Sequence, residues 1–243
     1  MPPSRTRHDS VWSPSRRGLT AGLVATITLF ASESLAVSTI LPDVAKDLGR
    51  AGYGAVFSLF FLGSIVGVLV GGPAADRFGL RKPFVSVVVL FAVGLIIGGF
   101  APTMWLLIVG RFLQGLGAGA SSPIIYAAIG RTYSEAAQVR MFAVTSTAWV
   151  VPGVIGPGLA GVVSNQFGWR WIFLGLLPLV AFATIVTIPK LENEPAAGDI
   201  AVPFSASDIA RFTIGAGLLL AALASNRFIP AVLMAVADRK SVV

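Results

Sequence analysis

Six long, mostly apolar runs dominate this sequence, and each is long enough to cross a bilayer. A spanning helix needs about 20 mostly apolar residues, and in hydrocarbon its backbone must find every hydrogen-bond partner within the helix. The runs fall near 19–41, 53–75, 83–101, 104–130, 140–164 and 170–189, joined by short loops. A seventh lies near 209–224, and an eighth begins near 228 and runs out at Ala237. Only 12% of the residues are charged, against about 25% in a soluble domain. Lipid is therefore the expected solvent, and the expected fold class is all-α and integral to the membrane.

This pattern divides the chain into a cytoplasmic tail (1–18), a six-helix transmembrane bundle (19–189), a polar linker (190–208) and the start of further transmembrane helices (209–243). The tail carries Arg5, Arg7, Arg16 and Arg17, but the apolar run after it is too long for a cleaved signal, so it reads as a span that stays. With the N-terminus inside, the inner segments hold most of the lysine and arginine, including Arg77, Arg81, Lys82, Arg131, Arg140 and Lys190. The outer loops hold Lys46, Arg50 and Arg170. That bias sets a multi-pass topology with a cytoplasmic N-terminus. Trp105, Trp169 and Trp171 then fall at outer helix ends, where interfacial anchors belong.

The net charge of +7 sits in these loops, so it describes membrane topology and not a nucleic-acid surface. The chain has no cysteine and a single histidine, His8 in the tail. Disulfides, thiolate chemistry and Cys/His metal sites are thereby excluded. Nothing in the sequence points to an enzyme, a metal or a bound cofactor.

Two charges break the apolar pattern: Glu33 in the first span and Arg111 in the fourth. A charge at the bilayer centre costs about 2.5–3.5 kcal/mol even on lenient scales, so such residues mark function or a specific pairing. Glu33 precedes Ile40, and Arg111 follows Met104, by the same number of positions. On antiparallel helices both lie about 10 Å below the outer boundary, free to meet or to share a cavity. Desolvation and a nearby cation act on a carboxyl in opposite directions, and a carboxyl poised between them can bind and release a proton. The alternative is a purely structural ion pair. Gln114 lies three residues from Arg111 on the same helix face.

Span four continues with Gly115, Gly117 and Gly119, which close packing alone explains. Span five contains VPGVIGPGLAG, where Pro152 and Pro157 each remove a backbone donor among Gly153, Gly156, Gly158 and Gly161. A small-residue dimer face needs fewer breakers than this, so the segment is expected to be a hinge or a specialised contact.

At these residues the chain resembles the major facilitator superfamily, and within it the drug:proton antiporters. GGPAADRFGLRK is similar to the superfamily signature between spans two and three, Gly-x-Leu-Ala-Asp-Arg-x-Gly followed by basic residues. Gly72, Ala75, Asp76, Arg77, Gly79, Arg81 and Lys82 agree, while Ala74 replaces the usual leucine and Leu80 takes a position often basic. RFLQGLGAGA resembles the fourth-span motif, with Arg111, Gln114 and Gly115 in place. GPGLAG resembles the antiporter motif of span five, with Ala160 for one glycine and Pro152 for an upstream one. FGWRWIF and STILPDVAKDLG are similar to segments of the fourteen-span multidrug efflux subgroup.

The resemblance implies the N-terminal six-helix bundle of the major facilitator fold plus one or two further helices, truncated before a second half. It implies proton-coupled efflux of amphipathic small molecules across the plasma (inner) membrane, driven by the proton gradient with no cofactor. Glu33, Arg111 and Gln114 would couple proton and substrate. Gly72, Asp76, Arg77, Gly79, Arg81 and Lys82 would form a cytoplasmic latch, with Asp76 paired to Arg77, Arg81 or nearby groups. Pro152, Gly153, Gly156, Pro157 and Gly161 would form the antiporter motif. A C-terminal half or a second copy would be needed to enclose a pathway. The alternatives are a symporter or uniporter for a nutrient, or a non-transporting fragment.

Overall fold

The computed structural model describes residues 10–14, 16–191, 211, 213–215 and 217. The expected linker from 192 and the eighth segment lie outside the described residues, as does most of the tail. Of the seventh segment, residues 211, 213–215 and 217 are described, and all are helical. The order is α1 (Arg17–Leu48), α2 (Ala55–Phe78), α3 (Arg81–Gly99), α4 (Met104–Thr132), α5 (Glu135–Phe167), α6 (Arg170–Leu174) and α7 (Leu176–Thr187). A 3-10 turn, Ile188–Lys190, closes the series. Among the described residues there is no strand. The segment Arg170–Lys190, from α6 through the turn, is the sixth of six helical segments long and apolar enough to span among the described residues.

The helices overrun the apolar windows. α1 passes Ile40 and Pro42 to reach Leu48, and α5 begins at Glu135 and ends at Phe167. The added turns are polar, so hydropathy could not locate them. α4 starts on Thr103, whose extended backbone lets its hydroxyl accept from Leu106 N at 3.4 Å. α2 stops at Gly79, whose φ of +76° is open to glycine and strained for other residues. That requirement explains the glycine dividing the charged turn Asp76–Lys82.

Apolar residues cover all sides of these helices, so small residues decide which faces meet. Gly63, Gly67 and Gly71 recur every fourth residue on α2, where an added Cβ would strike the carbonyl oxygens of Phe112, Leu116 and Ala120 on α4. Gly115 and Gly119 of α4 reply against the carbonyls of Phe60 and Ser64. The two backbones touch, and only glycine fits at the contact. On its other side α4 meets α3, with a Cβ on Gly94 placed 2.7 Å from Gly110 O and one on Gly117 placed 2.6 Å from Val87 O. α1 packs against α5 and α7.

Side-chain ties close both ends. At one end Thr20 Oγ1 bonds Tyr133 Oη (2.8 Å) and donates to Val11 O (2.6 Å), which seats the segment before α1 on the α4–α5 turn. At the opposite end Asp47 Oδ2 accepts from Trp169 Nε1 (2.8 Å) and from Arg170 Nη1 (3.3 Å), while Arg170 Nη2 reaches Ala101 O (3.3 Å). The ends of α1, α3 and α5 are thus joined, and successive long helices run antiparallel.

Candidate functional site

Glu33 lies near the middle of α1 and Arg111 about two turns into α4. Both side chains are fully buried and they form a direct ion pair, Arg111 Nη1 to Glu33 Oε1. The same Nη1 donates to Gln114 Oε1 at 2.7 Å. The Arg111 guanidinium also lies over the Phe60 ring of α2, with Cζ 4.2 Å from the centroid, well within the ~6 Å reach of a cation–π contact. Gly94 of α3 leaves room for Gln114, since a Cβ there would come 2.7 Å from Gln114 Cγ. Three elements therefore build the site: α1 supplies the carboxyl, α4 the cation and amide, α2 the aromatic floor.

The spacing argument correctly allowed Glu33 and Arg111 to meet, although α1 does not end where the depth was counted. Of the two arrangements that the spacing left open, meeting or sharing a cavity, the structure has the first. Glu33, Arg111 and Gln114 are each 0% exposed. The reason is local: one guanidinium nitrogen serves both the carboxylate and the amide, and a ring covers the guanidinium face. Glu33 Oε2, Arg111 Nε and Nη2, and Gln114 Nε2 make no hydrogen bond among the described residues. Phe60 was not expected at the site. The only trace in the sequence is an aromatic one turn before Ser64 on the α2 face that meets α4.

A groove of about 760 Å³ lies elsewhere, between α1, α5 and the α6–α7 segment. Thr28, Ser32 and Ala36 face Pro152, Gly156 and Leu176 across it. Its walls are apolar but for two hydroxyl side chains, and Ser32 Oγ is engaged by Thr28 O at 2.6 Å. α5 is one helix through Pro152 and Pro157. Its glycines differ from those of α4. A Cβ on Gly156, Gly158 or Gly161 would meet no atom within 4 Å, and one on Gly153 would only touch Leu35 at 3.7 Å. Packing among the described residues does not require them.

In the charged turn, Asp76 Oδ1 accepts from Arg131 Nη2 of α4 at 3.0 Å, and the same nitrogen reaches Ala75 O at 3.3 Å. Of the partners expected for Asp76, namely Arg77, Arg81 or a nearby group, the structure has the last, Arg131. Arg77 follows Asp76 directly and so points about 100° away around the helix, where its guanidinium lies 5.3 Å from the Phe78 ring. Arg81 and Lys82 open α3. Gly72 sits in ordinary contact, its added Cβ 3.9 Å from Pro123.

The tie at the Asp47 end was also missed. Trp169 was read as an interfacial anchor, yet it is buried and its indole N–H is held by Asp47. Asp43 accepts from Ser164 Oγ at 3.1 Å and from Lys46 at 2.9 Å. Trp105 and Trp171 are exposed.

Comparison with known proteins follows the same lines. The family model for the Major Facilitator Superfamily matches residues 21–237. The chain is 31% identical over 208 residues to a "Multidrug resistance protein B homolog" of Mycobacterium tuberculosis, covering 82% of this chain and 38% of that protein. It is 28% identical over 206 residues to the "Multidrug transporter protein MdtP" of Bacillus subtilis, covering 84% and 38%. The chain thus spans less than half the length of these relatives. Among solved structures, the POT family transporter PepTSo superposes with a TM-score of 0.64 at 16% identity, covering 84% of this chain and 47% of that one. A D-xylose-proton symporter gives 0.64 at 14% identity, covering 89% and 55%. These two speak for the fold alone. Six apolar helices, the match over nearly all of the described bundle and the shared fold agree: the chain belongs to the major facilitator superfamily.

Proposed function

We propose that this chain supplies the N-terminal bundle of a proton-coupled exporter of amphipathic small molecules. The observation that carries this reading is the fully buried Glu33–Arg111 pair, bridging α1 and α4. The relatives named for multidrug resistance and multidrug transport support the substrate class. A structural pair has no need of loose ends, whereas here the second carboxylate oxygen and two guanidinium nitrogens make no hydrogen bond among the described residues. Glu33 is the group that takes up and gives off the proton. Arg111 sets how readily it does so, and Gln114 holds Arg111. The N-terminus lies in the cytoplasm and the membrane is the plasma membrane. The basic end of the bundle, with Arg77, Arg81, Lys82, Arg131 and Arg140, supports that orientation.

The pathway itself is enclosed by a second half or a second copy, set against the bare face of α5. The pair is tested on the chain of residues 1–243 in detergent and weak buffer. Adding tetraphenylphosphonium is expected to release protons, and Glu33→Gln is expected to abolish the release. Unchanged release in that variant would remove Glu33 from the coupling. Proteoliposomes holding this chain alone are expected to show no substrate movement under an imposed pH gradient. Gradient-driven movement that Glu33→Gln abolishes would mean that two copies enclose the path.

A further inference from the structure

We infer that Phe60 of α2 is a positioning residue for the buried pair, its ring stabilising the Arg111 charge when Glu33 is protonated. This inference rests on the reading of Glu33 as the proton carrier.

The geometry gives Arg111 two separate holds. Its hydrogen bonds all leave from Nη1, toward Glu33 Oε1 and Gln114 Oε1. Its flat face lies on Phe60, with Cζ 4.2 Å from the ring centroid. Nε and Nη2 make no hydrogen bond among the described residues. The edge contacts are thus partly ionic, while the face contact involves a neutral group.

The two holds respond differently to a proton. A guanidinium stays charged in a protein, whereas a carboxyl becomes neutral when it binds a proton. While Glu33 is ionised, the pair sums to zero and its burial is tolerable. When Glu33 is protonated, a full positive charge remains in a site that is 0% exposed. Among the described residues no other charge replaces the carboxylate. Asp76, Arg77 and Arg131 sit at the far ends of α2 and α4, and Arg81 and Lys82 at the start of α3. Glu135 and Arg140 lie in the first turns of α5. Arg170 opens α6, Lys190 follows α7, and Asp43, Lys46 and Asp47 lie in the last turns of α1. What remains beside the cation is the Gln114 carbonyl oxygen and the Phe60 ring, whose face carries negative electrostatic potential.

The ring is well placed for this work. Its backbone carbonyl faces Gly115 of α4 at the contact where only glycine fits, so α2 and α4 fix its height. Phe61 packs on it edge-on, with centroids 5.7 Å apart. A polar side chain at this position would need a partner of its own in a buried site; phenylalanine needs none. Without the ring, the buried cation depends more heavily on the carboxylate, and protonating Glu33 becomes more costly.

The test follows the protonated-carboxyl stretch of Glu33 by infrared difference spectroscopy, on the chain of residues 1–243 in lipid nanodiscs, as pH is varied. Glu33→Gln identifies the band by removing it. In Phe60→Leu the midpoint of protonation is expected to move to lower pH, by about half to one pH unit, the shift a cation–π contact of ordinary strength supports. Phe60→Tyr keeps a π face and is expected to stay near the parent midpoint. Should Phe60→Leu fail to fold, pentafluorophenylalanine at position 60 keeps the ring's shape while reversing the charge on its face, and the same shift is expected. A parent chain that titrates, with equal midpoints in the Phe60 variants, overturns the role of Phe60 and leaves the carrier reading standing. A Glu33 band that never responds to pH overturns both.

Discussion

Arg131, at the end of α4, reaches back to Asp76, at the end of α2, so that one ion pair locks the helix pair whose backbones already touch at glycines. Both partners are largely shielded, at 20% and 30% exposure. A half-shielded pair of this kind is worth roughly 0.5–1 kcal/mol. Asp76→Asn and Arg131→Gln are therefore each expected to lower the unfolding temperature of the chain in detergent. The double variant should lose less than the sum, with a coupling of about 0.5–1 kcal/mol. Arg77→Gln should show no coupling to Asp76→Asn. Coupling to Arg77 and none to Arg131 would move the pairing of Asp76 to its sequence neighbour.

Sequence periodicity handled the parts of this fold that composition controls. The six apolar windows follow from the cost of unpaired backbone in lipid, and equal spacing from the apparent helix ends allowed Glu33 to meet Arg111. Features that depend on which helix faces meet were not legible. Arg131 lies 55 residues from Asp76 in the chain, and Asp47 lies 122 from Trp169; no local pattern announces either. Phe60 escaped notice because an aromatic in an apolar span is ordinary until a guanidinium is found on its face. The glycines of α4 and α5 look alike in sequence. Only the structure separates the ones packed against backbone from those that meet nothing within 4 Å.

That separation can be measured. Gly115→Ala puts a methyl group against the Phe60 carbonyl, and Gly119→Ala puts one against the Ser64 carbonyl. Each is expected to destabilise the folded chain by about 1–3 kcal/mol, the usual cost of overpacking. Gly158→Ala and Gly161→Ala meet no neighbour and should be neutral or slightly stabilising, since alanine favours helix over glycine by about 1 kcal/mol. Thermal unfolding by intrinsic fluorescence decides it. A stable Gly115→Ala would show that α2 and α4 do not meet as described.

Tyr133, which follows the last residue of α4, gives a pH-dependent prediction. Burial pushes its phenol above the ordinary value of 10, against weaker opposing effects of the Thr20 hydroxyl and the Arg16 charge. The folded chain therefore holds the phenolic proton more tightly than the unfolded chain. The stabilisation is complete below pH about 10 and is lost as pH climbs through the folded-state value. Tyr133→Phe also removes the bond to Thr20, so it should unfold at a lower temperature near neutrality. The gap between it and the parent should narrow above pH about 10. A gap that stays constant to high pH would rule out a buried, ionisable Tyr133.

The buried pair itself should respond asymmetrically to the loss of either partner. Arg111→Met leaves Glu33 without its cation, but a carboxyl can neutralise itself by binding a proton. Glu33→Leu leaves the guanidinium in a site with no exposure, and a guanidinium cannot shed its charge. Breaking a buried pair from one side typically costs about 3–5 kcal/mol. Glu33→Leu should sit at the upper end of that range and Arg111→Met at or below the lower. The double variant removes both charges and should be more stable than Glu33→Leu alone, because exchanging a whole buried pair for apolar groups is often neutral. Arg111→Lys tests the geometry separately. One ammonium cannot keep the carboxylate, the amide and the ring together as a planar fork does, so it should lose most of the stability that arginine gives. Thermal unfolding of all four variants in one lipid environment is the measurement. A double variant no better than Glu33→Leu would show that the pair is held for reasons other than mutual neutralisation.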